Sequence, residues 1–165
     1  YNMTLLLDPT NPYAYAGLGK TLEALNQPQE AIVAYNQAVA LDPPDTGFSF
    51  RLGNSLMRLE RYEDAIRAYN QSFDQKRAPV AQYNIGLALQ VLGLIQEALD
   101  AYHLSIKLDP EMAESYYNIG ILLYGLGRAD ESLVAFRQCA RLAENKNASD
   151  LLEATKKCIN ELQKS

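Results

Sequence analysis

The chain is poor in cysteine and histidine and carries no excess of positive charge. Its 165 residues include two cysteines and one histidine, and 15 Lys and Arg stand against 20 Asp and Glu, which gives a net charge of −5. Without an excess of cations to neutralise phosphates, nucleic acids and anionic membranes are poor candidates for a partner. Two cysteines are too few for the disulfide scaffold of a small secreted domain, which favours a reducing, cytoplasmic compartment.

Long apolar runs are also missing. The longest, such as residues 119–123, cover a few positions, whereas a membrane-spanning helix needs about 20. No basic stretch followed by an apolar one opens the chain, so a secretory signal is not expected. With 48% apolar and 21% charged residues, the composition favours a soluble, folded chain over a disordered one.

A repeat of 33 or 34 residues runs through the sequence. A glycine after Leu or Ile marks each unit, at Gly19, Gly53, Gly86 and Gly120. In most units a small residue follows, with an aromatic ring four positions later, as at Ala31 and Tyr35. Prolines close two of the units, at Pro43 and Pro110. A repeat of this length predicts an array of similar structural units rather than one undivided core.

This pattern resembles the tetratricopeptide repeat, whose signature combines these elements. The resemblance covers nearly the whole chain and implies an all-α fold, a right-handed superhelical solenoid of antiparallel helix pairs. It divides the sequence into a remnant of a preceding repeat at 1–11, repeats at 12–45, 46–78, 79–112 and 113–146, and a C-terminal segment at 147–165. Arg77 replaces the closing proline in the second repeat, which is a residue short, so a different turn is expected near residues 76–79.

Apolar spacing supports two helices in each unit independently of the family. Tyr15, Leu18 and Leu22 fall on one helical face of the first unit. The first helix of a pair should end where Gly93 and Gly127 adopt a left-handed conformation, a position that Asn26 and Glu60 occupy in other units. The marker glycines inside the helices cost helix propensity, and we expect them to let the paired helices approach closely.

The two ends of the chain differ. An amphipathic helix over 148–163, capped by Ser149 or Asp150, should cover the last repeat. Its inner face would consist of Leu151, Thr155, Cys158 and Leu162. Residues 1–11 match the end of a second helix whose first helix is missing, so the chain is expected to be a fragment of a longer array. Its uncapped edge would expose Leu5, Leu6 and Leu7.

The resemblance also implies where a ligand would lie, because in this family the first helices line a concave groove. When the repeats are aligned, one of the positions that face the groove is aromatic in several repeats, and others are asparagine. The amides of these asparagines suit the backbone of an extended peptide. Related domains that hold extended peptides often use such asparagines. The candidate peptide-binding residues are Phe50, Arg51, Asn54, Arg58, Tyr83, Asn84, Tyr117, Asn118 and Tyr124. The same residue types also fill these positions in repeats with no known ligand.

Charge in the groove argues against one specific ligand. Relatives that bind chaperone tails grip two carboxylates with a set of cations, and here Phe50, Glu114 and Asn118 stand at three of those positions. A chaperone tail is therefore not expected. Arg51 and Arg58 either attract an acidic group of another ligand or are solvated surface residues.

No catalytic, cofactor-binding or metal site is expected. The single His103 lies on a second helix, Cys139 fills a small buried position, and no paired Cys or His spacing suits zinc. The prediction is a non-catalytic protein-interaction scaffold that binds a partner peptide or segment in its groove. Two alternatives stay open: self-association into a homo-oligomer through the N-terminal edge, and a substrate-recruiting arm of a larger enzyme.

Overall fold

The computed structural model describes residues 8–41, 47–72 and 76–163, and in these ranges the regular secondary structure is α-helical, without a strand. This confirms the all-α prediction. The chain divides into two compact units, Tyr1–Gly93 and Leu94–Ser165.

In the first unit, each helix packs on the next one along the chain. The helices are α1 (Pro12–Ala24), α2 (Pro28–Leu41), α3 (Phe48–Arg58), α4 (Tyr62–Asn70) and α5 (Ala78–Val91). Very short connections join α1 to α2 and α3 to α4. Because a connection this short returns the chain directly, these two pairs are antiparallel hairpins.

The second unit has the same sequential packing. Its helices are α6 (Ile95–Leu108), α7 (Ala113–Gly125), α8 (Ala129–Asn145) and α9 (Ser149–Leu162). The connection between α7 and α8 is as short as those in the first unit, so these two helices also form an antiparallel hairpin.

The turns inside the hairpins follow one pattern. Asn26, Glu60 and Gly127 have positive φ angles of 58°, 58° and 74°. The residue after each donates a backbone hydrogen bond to the preceding helix, as from Arg61 N to Leu56 O at 3.0 Å. This is a Schellman-type helix end. Gly93 ends α5 with φ 76°. The predicted left-handed positions are therefore confirmed, including the costly one at Glu60.

The marker glycines allow aromatic rings of the partner helices to lie directly on the backbone. A Cβ added to Gly53 would lie 2.6 Å from the Tyr69 ring, and one added to Gly120 would lie 2.7 Å from the Phe136 ring. Real Cβ atoms do not come this close to another heavy atom. The prediction that these glycines permit close helix approach is confirmed.

The last helix, α9, packs on α8 with the predicted inner face. Thr155 is fully buried and lies 3.3 Å from the Cys139 sulfur, Leu151 packs beside it, and Cys158 is half-buried.

The predicted cap of α9 is wrong. Ala148 occupies the N-cap, and Ser149 is already the first helical residue. The reason is the preceding turn: Asn147 is left-handed with φ 53°, and Ala148 N donates to Ala143 O at 2.8 Å. The turn that ends α8 thus places Ala148 at the N-cap of α9, so Ser149 is one residue too late in the chain to cap the helix.

Several predictions fall on residues outside the described ranges. They include the remnant repeat up to residue 7 with its Leu5, Leu6 and Leu7, and Pro43. At the unusual junction, α4 ends at Asn70 and α5 begins at Ala78, with Arg77 as its N-cap. The division into repeats, including the segment 147–165, stays a prediction. No helix in the described ranges is both long and apolar enough to span a membrane.

Candidate functional site

Two predicted site residues and a tyrosine form one hydrogen-bonded cluster in the first unit. The Tyr69 hydroxyl, on α4, donates to Asn54 Oδ1 at 2.7 Å, on α3. Asn84 Nδ2, on α5, donates to the Tyr69 hydroxyl at 3.2 Å and to Asn54 Oδ1 at 3.3 Å. We call these three residues the amide–phenol cluster. Three helices therefore hold the two amides in a defined orientation.

Tyr69 was missed as a site residue in the sequence. Its ring packs on Gly53, a structural role that Phe136 fills in the fourth repeat without a hydroxyl. The hydroxyl was the available signal, because a phenylalanine would pack equally well against the glycine. Burial raises the pKa of Tyr69 well above its ordinary value of 10, although the Asn84 amide opposes this shift. Tyr69 therefore remains a hydrogen-bond donor at neutral pH.

An aromatic surface adjoins the cluster. The Phe50 ring lies 5.6 Å from the Tyr69 ring, measured between centroids, and the Arg77 guanidinium lies over Phe50 at 5.7 Å. Phe50 and Tyr83 are both half-buried. The structure thus brings Phe50 together with Asn54 and Asn84.

A second polar cluster, which the sequence did not indicate, surrounds Glu23 on α1. Its carboxylate accepts hydrogen bonds from the Tyr35 hydroxyl at 2.7 Å and from Ser55 Oγ at 2.6 Å. Burial, and then the Glu23 carboxylate, raise the pKa of Tyr35 above its ordinary value, while nearby Arg51 acts in the opposite direction. Ser55 is fully buried, so this cluster links α1, α2 and α3 from within.

The two predicted cations differ in their surroundings. Arg51 is half-buried, and it lies close enough to the Tyr35 hydroxyl to lower the pKa of that group. The same hydroxyl donates a hydrogen bond to Glu23. Arg58 is exposed, and its Nη2 donates to Asn26 Oδ1 at 3.0 Å. Arg51 is therefore partly withdrawn from solvent beside the Tyr35 hydroxyl, whereas Arg58 is exposed.

The predicted residues of the second unit all lie on α7. Tyr117 packs on Phe136 with ring centroids 5.8 Å apart, and burial, followed by the nearby Cys158 thiol, raises its pKa. Asn118 is half-buried, and Tyr124 is 52% exposed. In the described part of this unit no hydrogen bond joins these three side chains, so they do not form a cluster like that around Tyr69.

Groups with chemical reactivity are sparse in the described residues. No set of three or more His, Cys, Asp or Glu side chains there could hold a metal ion. Cys139 is fully buried, and this burial raises the pKa of its thiol, which disfavours the nucleophilic thiolate. His103 is exposed on α6.

Comparison with protein families agrees with this architecture. Models of the tetratricopeptide repeat match residues 12–45, 50–110 and 83–146. The chain belongs to the tetratricopeptide repeat family, as its motifs indicated. The fold is that of protein–protein interaction scaffolds, which are generally non-catalytic.

Solved structures show the same fold. A crystal structure of MamA is 27% identical and covers 90% of this chain and 87% of its own, with a TM-score of 0.83. YrrB, described as a tetratricopeptide repeat protein with an unusual peptide-binding site, is 17% identical, with coverages of 99% and 92% and a TM-score of 0.71. PilF of Pseudomonas aeruginosa is 19% identical, with coverages of 96% and 79% and a TM-score of 0.73. These last two similarities concern the fold alone. A search of curated proteins gave no match.

Proposed function

We propose that this chain binds an extended segment of a partner protein, and that the amide–phenol cluster holds the backbone of that segment. The single observation that carries the proposal is the orientation of two amides by one tyrosine. The hydrogen bonds within the cluster use Asn54 Oδ1 and Asn84 Nδ2. The other polar atom of each amide, Asn54 Nδ2 and Asn84 Oδ1, takes no part in the hydrogen bonds of the cluster.

These two groups match the backbone of an extended peptide. Asn54 Nδ2 is a donor for a peptide carbonyl, and Asn84 Oδ1 is an acceptor for a peptide N–H. Because the amides are already oriented by Tyr69, binding would cost little side-chain entropy. Contacts of this kind recognise a backbone rather than a particular side chain, so side-chain selectivity must come from neighbouring residues.

The neighbours suggest which side chains are preferred. Phe50 and Tyr83 provide an aromatic surface for an apolar side chain. Arg58 is the cation that would attract an acidic residue, because Arg51 already lies close to Tyr35 and Glu23. We therefore favour a segment with an apolar and an acidic side chain over a basic one.

In the second unit, Tyr117, Asn118 and Tyr124 are proposed as a further contact surface. Tyr124 exposes about half of its ring, and the Asn118 amide offers a donor and an acceptor. YrrB, which has the same fold, is described as having a peptide-binding site, and the proposal is consistent with that description.

A peptide-array screen tests the proposal. Segments that bind the native chain are measured again with the double variant Asn54→Ala/Asn84→Ala. We expect affinity to fall at least tenfold, because two backbone hydrogen bonds are lost at about 1 kcal/mol or more each. Asn70→Ala is the matched control, since Asn70 is an exposed asparagine on α4. Binding that survives the double variant would contradict the proposal.

A further inference from the structure

An open groove between α6 and α8 in the second unit has a volume of about 680 Å³. Its apolar lining includes Leu99, Ile106 and Ile119, and its polar lining includes Asp100, His103, Arg128 and Glu131. None of the proposed peptide-binding residues lines it. The groove is therefore distinct from the site proposed above.

The first unit has a corresponding groove between α2 and α4, with a cavity of about 200 Å³. The two grooves are built from the same repeat positions. Residues of the first groove and their counterparts in the second are Leu52 and Ile119, Leu56 and Leu123, Arg61 and Arg128, Asp64 and Glu131, and Ala68 and Ala135. In both grooves the arginine forms an ion pair with the acidic residue three positions later.

One difference between the grooves concerns an arginine. In the first unit Arg67 lines the groove, and its guanidinium pairs with Asp64, which is thus held by two arginines. The second unit has Val134 at this position, and Val134 is 66% exposed. The second groove therefore lacks the arginine that its counterpart contains, and it is more than three times larger.

The carboxylates of the second groove are correspondingly less neutralised. Glu131 accepts hydrogen bonds from one arginine, Arg128, through both carboxylate oxygens, at 2.7 Å and 2.6 Å. Asp100, across the groove on α6, accepts a hydrogen bond from Gln96 at 3.3 Å and forms no ion pair with a described residue. Two carboxylates thus line a groove whose other charged or basic lining residues are Arg128 and His103.

We propose that the groove between α6 and α8 binds an arginine presented by an apolar helical segment of a partner protein. The partner's arginine would provide the guanidinium that Arg67 provides in the groove of the first unit. Its aliphatic stem packs on the apolar side chains of the groove, and its guanidinium lies between Asp100 and Glu131. Arginine fits better than lysine because its planar fork can donate to two carboxylates at once.

The test uses a pair of fluorescent peptides. One is a capped, alanine-rich helical peptide with an arginine between leucines one turn before and one turn after it. The other carries citrulline, the neutral isostere of arginine, at the same position. Fluorescence anisotropy with the full chain should show the arginine peptide binding about tenfold more tightly, since a charge-assisted hydrogen bond is lost in the other.

Two exchanges between the grooves locate the site. Val134→Arg should abolish binding, because the chain then fills the groove itself as it does in the first unit. Arg67→Val should raise the number of bound peptides, because it opens the first groove. Both positions are exposed, so we expect the variants to fold, and circular dichroism verifies this. Should Val134→Arg fail to fold, Glu131→Gln provides the second variant and should weaken binding of the arginine peptide alone.

The outcomes separate this proposal from that for the amide–phenol cluster. Asn54→Ala/Asn84→Ala should leave binding of the arginine peptide unchanged, and Val134→Arg should leave binding of the array-selected segments unchanged. Equal binding of the arginine and citrulline peptides, no binding of either, or binding that persists in both folded Val134→Arg and Glu131→Gln would overturn the proposal.

Discussion

The Tyr69 hydroxyl donates a hydrogen bond of 2.7 Å to Asn54 Oδ1. The ring of the same tyrosine packs on the backbone at Gly53, the residue directly before Asn54. One side chain therefore connects the packing of α3 against α4 with the orientation of a proposed ligand contact. Changes to the ring and to the hydroxyl should consequently have separable effects.

Tyr69→Phe removes the hydroxyl and retains the ring. We expect the free energy of unfolding to fall by about 1–2 kcal/mol, since the two asparagine amides lose a partner in a half-buried location. Binding of array-selected segments should weaken as well, because Asn54 and Asn84 are no longer held in one orientation. Urea unfolding and anisotropy measure the two effects, with Tyr62→Phe on the same helix as the control. An unchanged affinity in Tyr69→Phe would show that the hydroxyl does not organise the site.

Gly53→Ala should destabilise the chain even though alanine favours helices. The new Cβ would lie 2.6 Å from the Tyr69 ring, and relieving such an overlap costs about 1–3 kcal/mol. Gly125→Ala is the matched control: Gly125 also lies in a helix, but its added Cβ meets no atom within 4 Å. That variant should be neutral or more stable by up to about 1 kcal/mol. Thermal unfolding compares the two, and equal effects would refute the close-packing account.

Glu60→Gly should stabilise the chain. Glu60 is exposed and has φ 58°, a left-handed conformation that costs a residue with a Cβ about 1–2 kcal/mol. Glycine avoids that cost but loses more entropy on folding, so a net gain of about 0.5–1 kcal/mol is expected in urea unfolding. The reverse exchange, Gly127→Glu at the equivalent turn with φ 74°, should lower stability by a similar amount. A destabilised Glu60→Gly would mean that the Glu60 side chain has a stabilising role.

Alkaline pH should destabilise the fold. Tyr35 and Tyr69 have pKa values raised above the ordinary value of 10, mainly by burial. The unfolded chain therefore loses these protons first, so the stabilisation is fully present below pH 10 and is lost as the pH rises above it. Cys139, whose pKa is raised from 9, should contribute from slightly lower pH. Urea midpoints from about pH 8 to about pH 11 should fall steadily above pH 10, and Tyr35→Phe/Tyr69→Phe should flatten this fall. A flat profile in the native chain would contradict the prediction.

Much of the fold could be predicted from the sequence because the same local residue pattern occurs in several repeats. The spacing of Gly53 and Tyr69 recurs as Gly19 and Tyr35, so a close contact between paired helices could be predicted without knowing its geometry. The left-handed turns were readable for the same reason, since Gly127 marks a position at which Glu60 must adopt the same conformation. The cap of α9 was misread, because the register of a turn depends on how α8 ends and not on the preference of Ser149 for a cap.

Composition and periodicity by themselves determined the helices and the tight turns, because both follow from residue type and local spacing. Only the tertiary structure decided how the polar groups pair. Glu23 accepts from Tyr35 and Ser55, and Tyr69 joins Asn54 to Asn84, through contacts between residues up to about a repeat apart. Likewise, the sequence shows Arg67 in one repeat and Val134 in another, but only the structure shows that both residues line equivalent grooves. Such pairings depend on side-chain direction across packed helices, which a one-dimensional pattern does not contain.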